Sequence, residues 1–400
     1  MTELLERART RLMRTYPPAE LAFVSGRGAA LFDEDGQPWL DFLCGLAVTG
    51  LGHAHPAVAR AVSEQAATLV HTSNLFVTEP AVALAERLAD VAGWDDARVF
   101  LSQCGASANE AAIKLARKHG KRTDPGKVRM VTLEGSFHGR TLATLEATGQ
   151  AGKHAPFAPL AGYVDIVAHD DAQALRAAVT DQHCAVLLEP IQGEGGVREI
   201  ADEVLLAARE ACDAHGALLM YDEVQTGIGR TGPWFAFQHG PVVPDVLTVA
   251  KGLGNGVPIG ACIAHGAAAD VLEPGDHATT FGGNPVTCAA ANAVIDTIGE
   301  QGLLATAGAR SRRLVEGLQD IVADHRLAAG VRGRGLLLGL ELSQPRAAEV
   351  TAACRDRRLI VNAVAPDVVR LAPPLVVERA EIDLALAGLQ EAVAEVEARS

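Results

Sequence analysis

An alternation of wholly apolar strands with helical stretches between residues 99 and 264 limits the possible folds more than any other feature. Strands that are apolar at every position are typical of a sheet covered on both faces. Because helices separate these strands, the pattern indicates an α/β domain with a mainly parallel sheet. The predicted strands are 99–101, 130–133, 185–188, 217–221, 246–250 and 259–264, and the predicted helices are 107–119, 171–180 and 202–215.

The C-terminal part of the chain has a different rhythm, which predicts a smaller α+β domain. Its predicted strands are 335–343, 359–364 and 368–372, and its last helix is 377–398. Near the N-terminus, a turn at 34–37 joins two short apolar segments. We therefore divide the chain into an N-terminal segment that packs with the small domain (1–54), a large domain (55–300) and a C-terminal small domain (301–400).

Charge and cysteine content exclude several classes of protein. The chain has 35 Lys+Arg against 49 Asp+Glu, a formal net charge of −14, and no basic run, which argues against binding to nucleic acid or anionic membranes. Its seven cysteines include no CxxC pair, so we expect neither a disulfide framework nor a metal site. The N-terminus lacks the apolar core of a signal peptide, and no apolar run can span a bilayer, so we expect a cytoplasmic protein.

Lys251 is the most informative residue, because the chain has only six lysines and this one ends an apolar strand. Ligands bind at the carboxyl ends of such strands, and a lysine in apolar surroundings becomes an amine nucleophile. A lysine that reaches solvent from a strand end explains the position equally well. The segment that follows, GLGNGVPIG, does not fit the GxGxxG pattern of a nicotinamide enzyme.

Asp222 ends another apolar strand, 29 positions before Lys251. A carboxylate beside a lysine that forms a Schiff base has a well-defined use, because it keeps the ring nitrogen of pyridoxal phosphate protonated and the ring an electron sink. The alternative is an aspartate that only caps the loop after its strand.

The segment 104–110 is a candidate site for the cofactor's phosphate. Ser107 and Glu110 have the spacing of a capping box, which predicts that a helix begins there. Gly105 and Ala106 would then offer backbone N–H groups at the positive end of the helix dipole. An ordinary capped helix with no ligand is the alternative.

Other candidates are individually weak. Phe137, beside a glycine turn, can stack on a planar ring, and Arg140 can hold a carboxylate with two hydrogen bonds. Aromatic residues are more often core residues, however, and arginines are more often on the surface. The remaining candidates lie in or beside glycine- or proline-rich segments: Glu194, Thr279, Thr280 and Arg370.

Six segments together resemble the class III, fold-type I aminotransferases that use pyridoxal phosphate. They are FHGRT, EPIQGEGG, DEVQTGIGRTG, AKGLGNGVPIGA, TFGGNP and RLAPPL, in family order and spacing, and the resemblance extends from about residue 15 to 374. Within this family, the acetylornithine aminotransferases of arginine biosynthesis are the most similar. The resemblance implies a large domain with a mainly parallel sheet flanked by helices, and a smaller α+β domain.

The resemblance implies a role for each residue around the cofactor ring. Lys251 would form the Schiff base and, once displaced, carry the proton between the substrate carbon and the cofactor. Asp222 would pair with the pyridinium nitrogen, and Gln225 would reach the phenolic oxygen. Val224 and Phe137 would lie on the two faces of the ring.

The phosphate and the second subunit follow from the same resemblance. Gly105 and Ala106 would hold the phosphate, and Glu223 would belong to the cofactor site. Thr280 would reach the phosphate of the neighbouring subunit, which implies a homodimer with shared active sites.

The resemblance also implies how two substrates share one site. Arg140, with Thr279 nearby, would bind the α-carboxylate of acetylornithine, and Arg370 would bind the α-carboxylate of glutamate or 2-oxoglutarate. Glu194 would neutralise Arg370 in the first half-reaction and release it in the second. A static salt bridge is the simpler alternative.

This sequence departs from the family in three places. The usual AsnSerGlyThrGluAlaAsnGlu is GlnCysGlyAlaSerAlaAsnGlu here, so Ala106 lacks a hydroxyl and we expect weaker cofactor retention. Thr49 replaces an asparagine near the substrate entrance. Gly45 stands where relatives that use free ornithine carry a tyrosine, which leaves room for an acylated amine.

The sequence therefore predicts a cytoplasmic, homodimeric transaminase that moves the terminal amine of N-acetylornithine to 2-oxoglutarate. Within the same class, the donor could instead be succinylornithine, succinyldiaminopimelate, ornithine or 4-aminobutyrate. An aminomutase or racemase is a second alternative, although a single-substrate enzyme needs no charge switch. A non-catalytic binding protein and a nicotinamide oxidoreductase are the remaining alternatives.

Overall fold

The computed structural model describes residues 3–399, in which helices and strands alternate along most of the chain. The strands are β1 (Phe23–Arg27), β2 (Ala30–Asp33), β3 (Pro38–Asp41), β4 (Arg98–Ser102), β5 (Arg129–Leu133), β6 (Val164–Val167), β7 (His183–Leu188), β8 (Ile191–Gln192), β9 (Arg198–Glu199), β10 (Leu218–Asp222), β11 (Val246–Val249), β12 (Gly260–Ala264), β13 (Ala328–Arg334), β14 (Leu337–Leu342), β15 (Leu359–Ile360), β16 (Asn362–Ala365) and β17 (Val368–Leu371). The helices are α1 (Glu3–Arg11), α2 (Cys44–Ala47), α3 (Pro56–Thr68), α4 (Glu79–Ala92), α5 (Gly105–Lys121), α6 (Leu142–Ala147), α7 (Ala151–His154), α8 (Ala172–Ala178), α9 (Asp202–His215), α10 (Pro285–Glu300), α11 (Leu303–Asp324), α12 (Ala347–Asp356) and α13 (Arg379–Ala398).

A seven-stranded sheet in the order β4-β12-β11-β10-β7-β5-β6 forms the centre of the fold. Neighbouring strands from β11 to β6 are parallel, and β12 alone runs antiparallel to both of its neighbours. The predicted mainly parallel sheet is therefore confirmed. The edge strand β6 was not predicted, because its sequence, VDIV, is partly exposed and not wholly apolar.

Successive residues of the central strands face opposite sides, and both sides are packed. In β10, Leu218 and Met220 belong to the apolar cluster that includes α5, whereas Leu219 and Tyr221 belong to the cluster that includes α9. Helices α3 and α4 both pack on α10 beside the sheet. A sheet with helices on both faces explains why its strands are apolar at every position.

The C-terminal part of the chain forms an antiparallel sheet, β13-β14-β17-β16, with α11 packed on β13 and α12 packed on β16 and β17. The predicted strands 335–343 and 368–372 are present as β14 and β17, but the predicted strand 359–364 is two strands, β15 and β16, in different sheets. Strand β13, which carries two arginines and two glycines, was missed. In a third sheet, β3 pairs in parallel with β15, which links the N-terminal segment to the C-terminal part. The exact domain limits stay predictions.

The start of α5 differs from the prediction. Its N-cap is Cys104, not Ser107, because the Ser107 hydroxyl reaches back and accepts from the backbone N–H of Gln103 (3.1 Å) and Cys104 (3.0 Å). Gly105 and Ala106 are therefore the first two helical residues. Their N–H groups lie at the positive helix end, which is the position that phosphate binding requires.

The helices of residues 3–399 include none that is both long and apolar enough to cross a membrane.

Candidate active site

A cavity of about 380 Å³ opens where β7, β10 and β11 end and α5 begins. This position follows from the topology, because parallel strands bring their carboxyl ends to one edge of the sheet. Its walls contain both polar and apolar groups. The predicted site residues that line it are Gly105, Ala106, Phe137, Arg140, Glu194, Asp222, Val224, Gln225 and Lys251.

Asp222 lies at the inner end of the cavity, buried and held by three donors. Its Oδ2 accepts from His138 Nδ1 at 2.8 Å and from Asn109 Nδ2 at 2.7 Å, and its Oδ1 accepts from the Val224 N–H at 3.0 Å. Asn109 is fixed in turn by a hydrogen bond from the Thr248 hydroxyl to its Oδ1 (2.6 Å). Only donors face the carboxylate, which is the environment of an anion that can accept a further N–H.

His138 and Asn109 also line the cavity, and the sequence analysis did not identify them. Their signal was present but indirect: His138 lies between Phe137 and Arg140, and Asn109 lies one turn into α5. Chain order did not show that both side chains turn toward Asp222, because the interaction joins residues 84 and 113 positions apart.

Lys251 follows β11 with a φ of 39°, in the left-handed region, and lines the cavity. Within residues 3–399, its ammonium group forms no hydrogen bond or ion pair. Burial lowers the pKa of Lys251 below its usual range, although Glu194 opposes the shift. A lowered pKa increases the fraction of neutral amine, the form that reacts as a nucleophile.

Arg370 and Glu194 form a buried ion pair that joins two parts of the chain. Arg370 lies in β17 and is fully buried, and Glu194 lies in the turn between β8 and β9. Arg370 Nη1 donates to Glu194 Oε1 at 2.6 Å, to Gln225 Oε1 at 2.8 Å and to the Gly193 carbonyl at 3.1 Å. Burial by itself would raise the pKa of Glu194, but Arg370 holds that pKa below its usual value.

Arg370 Nη2 is buried and has no hydrogen-bond partner in the described chain. A buried guanidinium with an unused donor is a costly arrangement unless a ligand completes it. The arginine therefore keeps hydrogen-bonding capacity for an anion that enters the cavity.

Glu189 was also missed by the sequence analysis, although it carries the same signal as Asp222: an acid directly after an apolar strand. It is buried, lines the cavity, and its Oε2 accepts from the Phe137 N–H at 2.8 Å. Burial, reinforced by the charge of Asp222, raises the pKa of Glu189 well above its usual value. Glu189 thus fixes the backbone that presents the Phe137 ring.

The lining of the cavity leaves out four of the predicted site residues: Arg370, described above, and Glu223, Thr279 and Thr280. The Glu223 carboxylate accepts from the N–H groups of Ala236 (2.5 Å) and Phe237 (2.8 Å), so its side chain anchors a loop. Thr279 accepts a hydrogen bond from the Gln103 amide, and Thr280 is exposed. The cofactor and substrate contacts of these residues stay predictions.

The residues of the cavity fit pyridoxal phosphate. Lys251 offers an unpaired amine, Asp222 offers a carboxylate ready for a ring N–H, and the first turn of α5 offers backbone N–H groups for a phosphate. At Gly105, a Cβ would lie 2.7 Å from Val224 Cγ1, so glycine allows Val224 to pack against the phosphate end. Within residues 3–399, no group of three or more His, Cys, Asp or Glu side chains is arranged to hold a metal ion.

Comparison with known families agrees with this fold. The profile of the family "Aminotransferase class-III" matches residues 13–393. The chain therefore belongs to the class III aminotransferases. It is a transaminase that depends on pyridoxal phosphate.

Individual relatives show which members of this family the chain is similar to. The chain is 53% identical to the acetylornithine aminotransferase of Streptomyces coelicolor over 93% of this chain and 91% of that protein. It is 51% identical to the acetylornithine aminotransferase of Mycolicibacterium smegmatis over 94% of this chain and 95% of that protein. Among solved structures, the chain is similar to the ornithine aminotransferase of Toxoplasma gondii, with a TM-score of 0.94 and 31% identity over 100% of this chain and 96% of that chain. That structure is described as having partial occupancy of pyridoxal phosphate at its active site.

Proposed function

We propose that this chain transfers the terminal amine of N-acetyl-L-ornithine to 2-oxoglutarate and gives N-acetyl-L-glutamate 5-semialdehyde and L-glutamate, a step of arginine biosynthesis. The observation that carries this proposal is the Arg370–Glu194 pair beside Lys251. The names of the two curated relatives above support the same donor.

The pair explains how one cavity serves two different substrates. Glutamate reacts at a carbon that bears a carboxylate, and Arg370 would bind that carboxylate. Acetylornithine reacts at a carbon with no charged group attached, so an unpaired Arg370 would favour the wrong substrate. Glu194 neutralises Arg370 for acetylornithine, and it must turn away when glutamate or 2-oxoglutarate binds. Its partial exposure, 27% of the side chain, leaves room for that movement.

The described residues would hold the cofactor at several points. The N–H groups of Gly105 and Ala106 would bind its phosphate, Asp222 its ring nitrogen and Gln225 its phenolic oxygen, while Phe137 and Val224 would enclose its ring. When bound, pyridoxal phosphate supplies an electron sink that stabilises negative charge on the substrate carbon.

Lys251 would act as the base in both half-reactions. Its neutral amine, favoured by burial, can take the proton from the substrate carbon that carries the amine and return a proton to the cofactor side. Asp222 acts at a distance from this transfer, because its negative charge keeps a proton on the ring nitrogen. The network from Thr248 through Asn109 fixes Asp222 for that task.

The shape of the segment before the cavity supports an acylated donor. Residues 44–47 form a left-handed turn in which Gly45 has a φ of 61°. A Cβ at Gly45 would meet only Val48 Cβ, at 3.9 Å, so there is open space where a bulky residue would otherwise lie. Thr49 lies nearby, and its hydroxyl oxygen is buried without a partner among the described residues. The acetyl group would occupy this space.

We propose that the active unit is a cytoplasmic homodimer. Residues 75–77 and Phe281 expose large apolar side chains, with Leu75 and Val77 each 85% exposed. Asn74 donates to the Thr279 carbonyl at 3.2 Å, which connects this apolar surface to the segment that carries Thr280. A second copy that covers this surface would bring Thr280 to the partner's site.

The absorption spectrum of the purified enzyme tests the proposal. N-acetylornithine, added without a keto acid, should replace the yellow band of lysine-bound cofactor by the band of its aminated form, and 2-oxoglutarate should restore the yellow band. Succinylornithine, ornithine and 4-aminobutyrate are the comparison donors. A yellow protein that responds only to one of these donors would contradict the assigned substrate, and a protein that stays colourless with added pyridoxal phosphate would contradict the enzymatic assignment.

A further inference from the structure

Two cations lie against the Phe137 ring at the mouth of the cavity. The Arg140 guanidinium carbon is 5.4 Å from the ring centroid, and Lys153 Nζ is 5.8 Å from the same centroid. Neither side chain forms an ion pair with any residue of the described range 3–399. In a chain with a net charge of −14, two adjacent cations without a carboxylate partner call for an explanation.

Lys153 is held in this place by the protein. Its ammonium group donates to Gln150 Oε1, and Gln150 Nε2 donates to the carbonyls of Gly135 (3.1 Å) and Ser136 (3.2 Å). Those two residues directly precede Phe137 in the chain. Gln150 therefore ties Lys153 to the segment that carries the ring, so that the position of Lys153 is fixed relative to the cavity.

The electrostatic surroundings of Lys153 place it within range of the site. Burial lowers its pKa, Arg140 lowers it further, and the charge of Glu194 opposes both effects. Repulsion between Lys153 and Arg140 is unfavourable. An anion between the two cations would remove that repulsion.

We propose that Lys153 and Arg140 together bind the carboxylate of the substrate that lies away from the reacting carbon, and that Lys153 is a specificity-determining residue. This inference rests on the proposed function. In acetylornithine, three carbons separate the reacting carbon from the carboxylate carbon, and in 2-oxoglutarate two carbons separate the reacting carbon from its distal carboxylate. A single arginine fork cannot meet both lengths equally well. The Arg140 fork and the Lys153 ammonium group, which lie on separate side chains, offer a carboxylate more than one binding position.

The decisive experiment compares donors that differ only in this carboxylate. N-acetylputrescine is N-acetylornithine without its carboxylate. Lys153→Gln, Lys153→Arg and the wild type are mixed with each donor in the absence of keto acid, and the conversion of the cofactor is followed by absorption. The control variant is Lys121→Gln, which removes an exposed lysine at the end of α5.

We expect Lys153→Gln to weaken the apparent affinity for N-acetylornithine about tenfold, with the maximal rate within about twofold of wild type. Its reaction with N-acetylputrescine should be unchanged, and Lys153→Arg should recover most of the affinity. Lys121→Gln should match the wild type with both donors. Equal losses with the two donors would mean that Lys153 has only a structural role, and an unchanged affinity for N-acetylornithine would also overturn the inference.

A binding measurement separates this inference from the proposed function. N-acetylnorvaline, which is N-acetylornithine without its terminal amine, cannot react, and calorimetry gives its dissociation constant directly. Lys153→Gln should weaken its binding about tenfold. If the wild type rejects N-acetylornithine as donor, the proposed function fails, and the donor that does react is then compared with its own decarboxylated analogue to decide the role of Lys153.

Discussion

The inner end of the cavity, at Asp222 and Asn109, and its mouth, at Phe137 and Arg140, differ in how far their polar groups are paired within the protein. At the inner end, Asp222 and Asn109 are buried, and fixed hydrogen bonds connect them to strand residues of the sheet. At the mouth, Arg140 is exposed and has no hydrogen-bond or ion-pair partner within residues 3–399. At the inner end, therefore, residues of the same chain supply the hydrogen-bond partners. At the mouth, the hydrogen-bond donors of Arg140 remain available to groups outside the described residues.

Arg370 and Glu194 occupy the boundary between these regions. Arg370 is buried as completely as the inner residues, yet its Nη2 lacks a hydrogen-bond partner among the described residues, as the Arg140 guanidinium does. A residue with both properties can be satisfied by the protein in one half-reaction and by substrate in the other.

The largest expected effect comes from Lys251→Ala at the inner end. Loss of the base that we propose for the substrate carbon should reduce kcat by about 10⁴-fold, and the yellow band of lysine-bound cofactor should disappear. Stopped-flow spectra and steady-state rates measure both effects. Lys121→Ala is the control, and a thermal melt shows whether each variant is folded. Turnover near the wild-type value in Lys251→Ala would show that the inner end takes no part in the chemistry.

A smaller and more selective effect is expected for Glu194→Gln at the boundary. The variant leaves the charge of Arg370 without compensation, so the half-reaction with acetylornithine should slow by about ten- to a hundredfold relative to the half-reaction with glutamate. Because the pKa of Glu194 is lowered, the wild-type preference should stay constant through neutral pH and weaken only in acid. Separate single-turnover rates for the two amino donors give the ratio.

Glu210→Gln is the matched control, because it breaks an exposed Glu–Arg pair with Arg176. It should leave the ratio of the two half-reactions unchanged. If Glu194→Gln slows both half-reactions by the same factor, the pair is a static salt bridge and the boundary between the two regions has no switching role.

The sequence located the inner end better than the mouth, and the reason is physical. Lys251 and Asp222 follow apolar strands, and parallel topology brings strand ends together, so their positions could be read from the pattern. The roles assigned to Arg140 and Arg370 depended on the resemblance to a family. Lys153 was not singled out at all, because its place beside Phe137 depends on Gln150 and the fold of the segment between them.

The errors in the inner region have a similar cause. The beginning of α5 was misplaced because Ser107 can act either as an N-cap or as the third residue of the helix, and only the hydrogen bonds to Gln103 and Cys104 decide between these. Glu189 carries the strand-end signal, but the resemblance implied a role only for Glu194, in the same segment EPIQGEGG. A local sequence pattern predicts where a residue lies in its helix or strand, but tertiary packing determines which groups its side chain contacts.

Glu189→Gln tests whether the inner end depends on a protonated acid. The pKa of Glu189 is raised, so the folded protein holds its proton more tightly than the unfolded chain does. Wild-type stability should therefore fall as the pH rises from the unfolded pKa through the folded one. Glutamine resembles the protonated acid, so the variant should lack this decline and keep kcat within about threefold of wild type at neutral pH. Urea unfolding at a series of pH values measures the stability.

Glu189→Ala is the paired variant, because it also removes the acceptor for the Phe137 N–H. It should lower kcat by more than the glutamine variant does. An identical pH dependence of unfolding in wild type and Glu189→Gln would show that the carboxyl titrates normally despite its burial.

The smallest expected effect is a gain. Ala106 is the second residue of α5 and has no hydroxyl, so we expect the phosphate end to rely on backbone N–H groups. Ala106→Ser adds one hydrogen-bond donor at a helix start that already favours anions, and we expect cofactor binding to tighten about threefold without a change in donor preference. Titration of the cofactor-free protein with pyridoxal phosphate gives the dissociation constant. Ala348→Ser is the matched control, since Ala348 is the exposed second residue of α12 and should leave cofactor affinity unchanged. A changed donor preference in Ala106→Ser would show that the inner end also takes part in substrate selection, which contradicts the division of labour between the two ends of the cavity.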